Sequence, residues 1–153
     1  MTNDEETQKE EYAPLDIDPL LQTVVSLANE TGLGLPVMLS VKGMFISGDI
    51  IKRDEYYDRL IAVLGDPAVG MKVGNDKEIS KIIAEHFSSM LNLFKEFGNK
   101  PDESGEGILP TLIHLANVQI MDTTGRPVPY FGALWRGKMD SVDGYIFGKP
   151  EIM

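Results

Sequence analysis

Apolar residues first gather at helical spacing between Pro19 and Thr31, where Leu20, Leu21, Val24, Val25, Leu27 and Ala28 share one broad face. Asp18 can cap such a helix, Pro19 suits its first position and Gly32 can end it. The stretch "LPVMLSVKGMFISGDII" then alternates in two short runs around Lys42–Gly43, a tight-hairpin signal. Val37, Leu39 and Val41 point one way on the first run; Met44, Ile46 and Ile50 form the matching set on the second. Gly48 among them marks a bend or a close approach.

In "KRDEYYDRLIAVLG", Tyr56, Tyr57, Leu60, Ile61 and Leu64 recur at three- and four-residue steps. That spacing predicts a helix from about Asp54, with a strand over 52–64 as the alternative. A glycine-rich loop over 65–75 leads to a second long helix over about 76–97. Its stripe is Ile79, Ile82, Ile83, Phe87, Met90, Leu91 and Phe94. Residues 98–110 read as a flexible connector. The last third alternates with period two. In "TLIHLANVQIMD" the phase slips between Leu115 and Val118, so a bulge at Ala116–Asn117 is needed to keep one buried face. "ALWRGKM" and "GYIFG" read as a hairpin turning at Asp143–Gly144, a dipeptide suited to positive φ. The fold class that follows is α+β. A strongly bent antiparallel five-stranded sheet, or a small barrel, carries an N-terminal helix and a helical insertion over about 54–97. Helices 19–31 and 76–97 are expected to pack on the sheet.

Composition narrows the chemistry. The 153 residues hold no cysteine, so neither disulfides nor thiolate metal sites are open to the chain. No apolar run approaches the roughly 18 residues of a membrane span, and the polar N-terminus does not read as a signal peptide. A cytoplasmic setting is the expectation. Residues 1–12, "MTNDEETQKEEY", carry five acids and one lysine and read as a disordered acidic tail before a single domain over 13–153. The net charge is −10, yet residues 111–153 balance four acids against four bases. Phosphate backbones are gripped by clustered cations, so no nucleic acid is expected as a partner. Two histidines without carboxylates at ligand spacing give no metal site, and neither nucleotide-binding loops nor a nucleophile elbow occur. His86 reads as a packed or half-exposed helix residue, and His114 as a strand residue bonded to neighbouring backbone. No catalytic residue and no cofactor are expected.

The segment "ALWRGKMDSVDGYIFGK" holds the single tryptophan. On a strand, Trp135 and Arg136 face opposite sides. Either Trp135 fills the core while Arg136 finds a carboxylate or carbonyl, or the segment is a docking surface anchored by the pair. The layout loosely resembles Sm-like and SH3-like barrels, through "GDIIKRDEYYDRL" and the downstream "LWRGKM"; this would imply an RNA-binding module. A fuller resemblance, over nearly all of residues 20–149, is to the gas vesicle accessory protein U family. The segments carrying it are "VMLSVKGMFISGDIIKRDEYYDRL", "LIHLANVQI" and "LWRGKMDSVDGYIFGK". The most specific positions are His114, Asn117, Trp135, Arg136, Gly137, Lys138, Asp143, Gly144, Gly148 and Lys149. The resemblance implies a non-enzymatic protein that helps assemble or organise gas vesicles through contacts with shell or accessory proteins. Open sheet edges add the expectation of a homo-oligomer.

Overall fold

The computed structural model describes residues 16–65, 77–97, 109–127 and 133–148. The expected acidic tail, the loop beyond Gly65 and the connector as far as residue 108 lie outside them. Helix α1 (Pro19–Thr31) begins and ends where its signals stand. Asp18 accepts the Leu21 N–H at 3.0 Å, and Gly32, left-handed at φ 70°, donates its N–H to the Ala28 carbonyl at 2.8 Å. Its buried stripe is narrower than the sequence face. Leu21, Val25 and Ala28 enter the core, whereas Leu20 and Leu27 stay exposed.

Strands β1 (Leu35–Val41) and β2 (Met44–Ile50) form the hairpin, with Lys42 and Gly43 both at positive φ. Two such residues in a two-residue loop match the natural twist of the strands. Val37, Leu39, Val41, Ile46 and Ile50 are buried; Met44, at the hairpin tip, is exposed instead. Strand β3 (Leu112–Met121) pairs with β2, where the register shifts between Ser47 and Asp49, and on its other side breaks register with the next strand between Leu115 and Val118. Asn117 there takes a left-handed φ of 53°, so Ile113, Leu115 and Val118 all reach the core despite their opposite parity. Gly48 lies opposite: a Cβ on it would stand 2.8 Å from the Ala116 carbonyl oxygen.

Strands β4 (Ala133–Lys138) and β5 (Gly144–Phe147) do not form the expected hairpin. The sheet order is β4-β3-β2-β1-β5, so they occupy opposite edges. A single 3-10 turn at Met139–Ser141 links them. The Met139 N–H donates to Thr111 beside β3, and four residues on the Asp143 N–H donates to Ser40 of β1. In a flat sheet four strand spacings would separate the edges by roughly 19 Å. The link spans at most about 16 Å, because a 3-10 turn rises only about 2 Å per residue. The sheet is therefore strongly bent, with Met139 buried at the crossing. Among the described residues β4 and β5 do not pair and the sheet is not closed, which decides between the two forms the sequence allowed. Gly144 does not take the positive φ expected of it, because it opens a strand rather than a turn.

Helices α2 (Arg53–Gly65) and α3 (Lys77–Phe97) are helices as predicted, but α3 is not laid on the sheet. It packs on α2, tied by a Lys95–Asp58 ion pair and by a hydrogen bond from Arg53 to the Phe94 carbonyl. Along α3, Leu91 is buried and Ile83, Ala84, Ser88 and Lys95 are half-buried. Ile82, Phe87, Met90, Leu93 and Phe94 are exposed. These side chains are 37–54% exposed, so each forgoes roughly half of the about 1.5–3 kcal/mol that full burial would supply.

Candidate functional site

The sequence-predicted residues separate into three places. The first is the outer face of β3 and β4 beneath α2. His114 and Arg136 are register partners across these strands, so their side chains share the face opposite Ile113 and Leu115. Helix α2 begins directly over them. Asn29 of α1 accepts the Arg53 N–H at 3.0 Å, and the Ile51 N–H donates to the His114 carbonyl at 3.0 Å. One turn later Tyr56 and Tyr57 descend on His114, with ring centroids at 4.8 Å and 6.2 Å. Tyr57 is buried, and the Arg53 and Arg136 guanidiniums both lie over its ring, at 5.1 Å and 5.9 Å. Cations favour the negative face of an aromatic ring, so Tyr57 holds two like charges near one another.

His114 does not make the expected bond at its far nitrogen. It is 2% exposed, and its Nε2 is enclosed with no hydrogen-bond partner. Burial, assisted by the Arg136 and Arg53 cations, pushes its pKa down to about 4. Burial likewise raises the Tyr56 hydroxyl above its ordinary value. The imidazole is therefore neutral at pH 7 and sealed from solvent at Nε2, a poor position for a general base. Among the described residues no three histidine or acidic side chains converge to hold a metal ion.

The second place is the core side of β4. Trp135 packs against the buried cluster, while Arg136 is exposed on the other side. Gly137 is bare because the indole occupies its space: a Cβ there would stand 2.1 Å from Trp135 Cη2. The Trp-Arg-Gly run thus places an inward ring, an outward cation and the gap the ring needs. Lys138 follows, exposed at the strand end. Asn117, at the bulge, donates from Nδ2 to Asp49 at 3.0 Å.

The third place is the β5 edge. Asp143 accepts the Lys42 N–H through Oδ2 at 2.9 Å, fastening the β1–β2 turn. Gly144 pairs with Ser40, and Gly148, at φ 119°, donates its N–H to Pro36. Lys149 lies outside the described residues. Tyr145 on this edge donates to the capping Asp18 at 2.5 Å, tying β5 to α1 and lowering the Asp18 pKa. The Arg53–Tyr56–Tyr57 cluster over His114 and Arg136 was not legible in the sequence. The Arg53–Tyr57 spacing of one helical turn was its only local signal.

None of the curated proteins and none of the solved structures compared with the chain matches it significantly. A family model described as gas vesicle protein GvpU-like matches residues 18–150, from the residue that caps α1 to just beyond β5. Among the described residues all three α-helices and all five strands fall inside that match, and the chain belongs to the GvpU-like gas vesicle protein family.

Proposed function

We propose that the protein is a non-enzymatic accessory factor of gas vesicles, acting in the cytoplasm through contacts with shell or accessory proteins and with copies of itself. The family match over residues 18–150 carries this proposal. Two structural features support it. Arg136 and Lys138 stand exposed on the edge strand β4, and arginine is enriched among residues that anchor interfaces. The groups that would otherwise suggest chemistry, His114 above all, are enclosed in packing rather than presented to a substrate.

Tagged protein added to an extract of gas-vesicle-producing cells should retain shell or accessory proteins. Arg136→Ala combined with Lys138→Ala should lose them while remaining folded by circular dichroism, with a melting temperature lowered by no more than the lost Arg136–Tyr57 contact accounts for. Failure of the unaltered protein to retain any gas vesicle protein would overturn the proposal. Undiminished retention by the folded double variant would remove Arg136 and Lys138 from the contact.

A further inference from the structure

The two edges of the sheet differ in what they can meet. Edge strand β4 carries Arg136 and Lys138 exposed on one side, so a second copy laid against it by a two-fold axis would set like charges together. Edge strand β5 carries no charge, and its Ile146 is 61% exposed and Phe147 45%. Its backbone is turned to pair again. The Gly148 N–H donates to the Pro36 carbonyl, and Ile146 lies opposite Met38, two positions along from that pair. Residues two apart on a strand point their backbone groups the same way. Ile146 therefore bonds inward to β1, while Tyr145 and Phe147 turn their N–H and C=O groups outward. Among the described residues no strand lies on that side.

We propose that β5 pairs antiparallel with β5 of a second copy about a two-fold axis at Ile146, joining the two sheets into one. This rests on the self-association included in the function proposed above and names the surface that makes it. With Ile146 at the axis, each Tyr145 stands opposite Phe147 of the partner subunit. The outward N–H and C=O groups of Tyr145 and Phe147 on both strands are then all satisfied, by four hydrogen bonds across the axis. A slip of two residues either way would set one of them opposite residue 143 or 149, outside the strand. The short strand thus completes its hydrogen bonding with its own copy in a single register.

The side chains suit that register. Within one molecule the Tyr145 and Phe147 rings lie 5.1 Å apart, on the side of the sheet that holds Val37 and Leu39. Pairing brings two such couples together, and aromatic pairs across strands are favourable. On the other side Ile146 meets Ile146 of the partner subunit, at a position without hydrogen bonds, where opposed side chains approach most closely. A net charge of −10 opposes self-association in general, but Gly144–Phe147 brings none of it to the axis. Four residues span only about 13 Å, so the dimer belongs to the weak, concentration-dependent class that buries less than about 1,200 Å².

The chain has no cysteine, so in the purified protein an introduced thiol can link only to its own copy. Mild oxidation should join Ile146→Cys into a disulfide dimer, because opposed residues at such a position have Cα atoms about 4.5 Å apart. Met44→Cys, at the hairpin tip and 43% exposed, should stay unlinked under the same treatment. Sedimentation of the unaltered protein should show a monomer–dimer equilibrium at high micromolar concentration. Ile146→Lys and Ile146→Glu should each weaken it by about tenfold or more, with unchanged circular dichroism. A mixture of these two should associate more tightly than either alone, since residue 146 faces its own copy. A monomer at high micromolar concentration would overturn the proposal. So would a dimer indifferent to folded Ile146→Lys, equal linkage through Met44→Cys, or a mixture no tighter than its components. Failure of a protein that dimerises in this way to retain gas vesicle proteins would bear on the function proposal alone.

Discussion

At the scale of single residues, Trp135 and Gly137 act as one unit. The indole fills the space over residue 137, so Gly137→Ala should destabilise the protein by about 1–3 kcal/mol through overpacking. Trp135→Ala should cost about 3 kcal/mol, the low end for a truncated aromatic, because the ring is only partly buried. The two changes should not add. With the indole gone, Gly137→Ala should cost much less than it does alone, and urea unfolding of the four proteins measures this directly. Additive losses would mean that the indole lies elsewhere. The alternation along β4 made the opposite facing of Trp135 and Arg136 legible in the sequence. Which of them faced inward was not, because strand periodicity fixes relative sides and only the sheet's packing fixes the inside.

At the scale of elements, α2 is held to β3 through His114, and this makes its docking sensitive to acid. The His114 pKa is about 4 in the folded protein against an ordinary value of 6.5. A folded pKa below the unfolded one means that folding favours the neutral form. The contribution is full above pH 6.5 and declines as pH falls toward 4. A difference of this size corresponds to about 3 kcal/mol at most. Chemical unfolding followed between pH 7 and pH 4 should show this loss, and His114→Phe should flatten much of the slope over that range. An unaltered slope in a folded His114→Phe protein would show that the acid sensitivity resides in other groups. The helix itself was legible from its spacing. Its seat was not: His114 and Arg53 are 61 residues apart, and only the β2–β3 pairing brings α2 above β3.

At the scale of the whole molecule, charge and topology set what the protein meets. Its acidic excess predicts no measurable binding to uridine-rich RNA by fluorescence anisotropy, even at low salt. Binding that weakened steeply with added salt would contradict this and restore the alternative implied by the Sm-like echo. Local signals determined a large part of the structure. Asp18, Pro19 and Gly32 bound α1, Lys42–Gly43 turns the first hairpin, and the parity slip after Leu115 requires the bulge at Asn117. Each depends on backbone geometry or side-chain spacing within a few residues, which the sequence carries directly. Tertiary structure alone decided that β4 and β5 lie at opposite edges, since a short link reads as a hairpin turn unless the sheet is known to bend. It alone left the α3 stripe exposed. An apolar face announces that it will be buried, but its partner depends on where the chain places every other surface, and here only Leu91 of the stripe is buried and Ile83 half-buried.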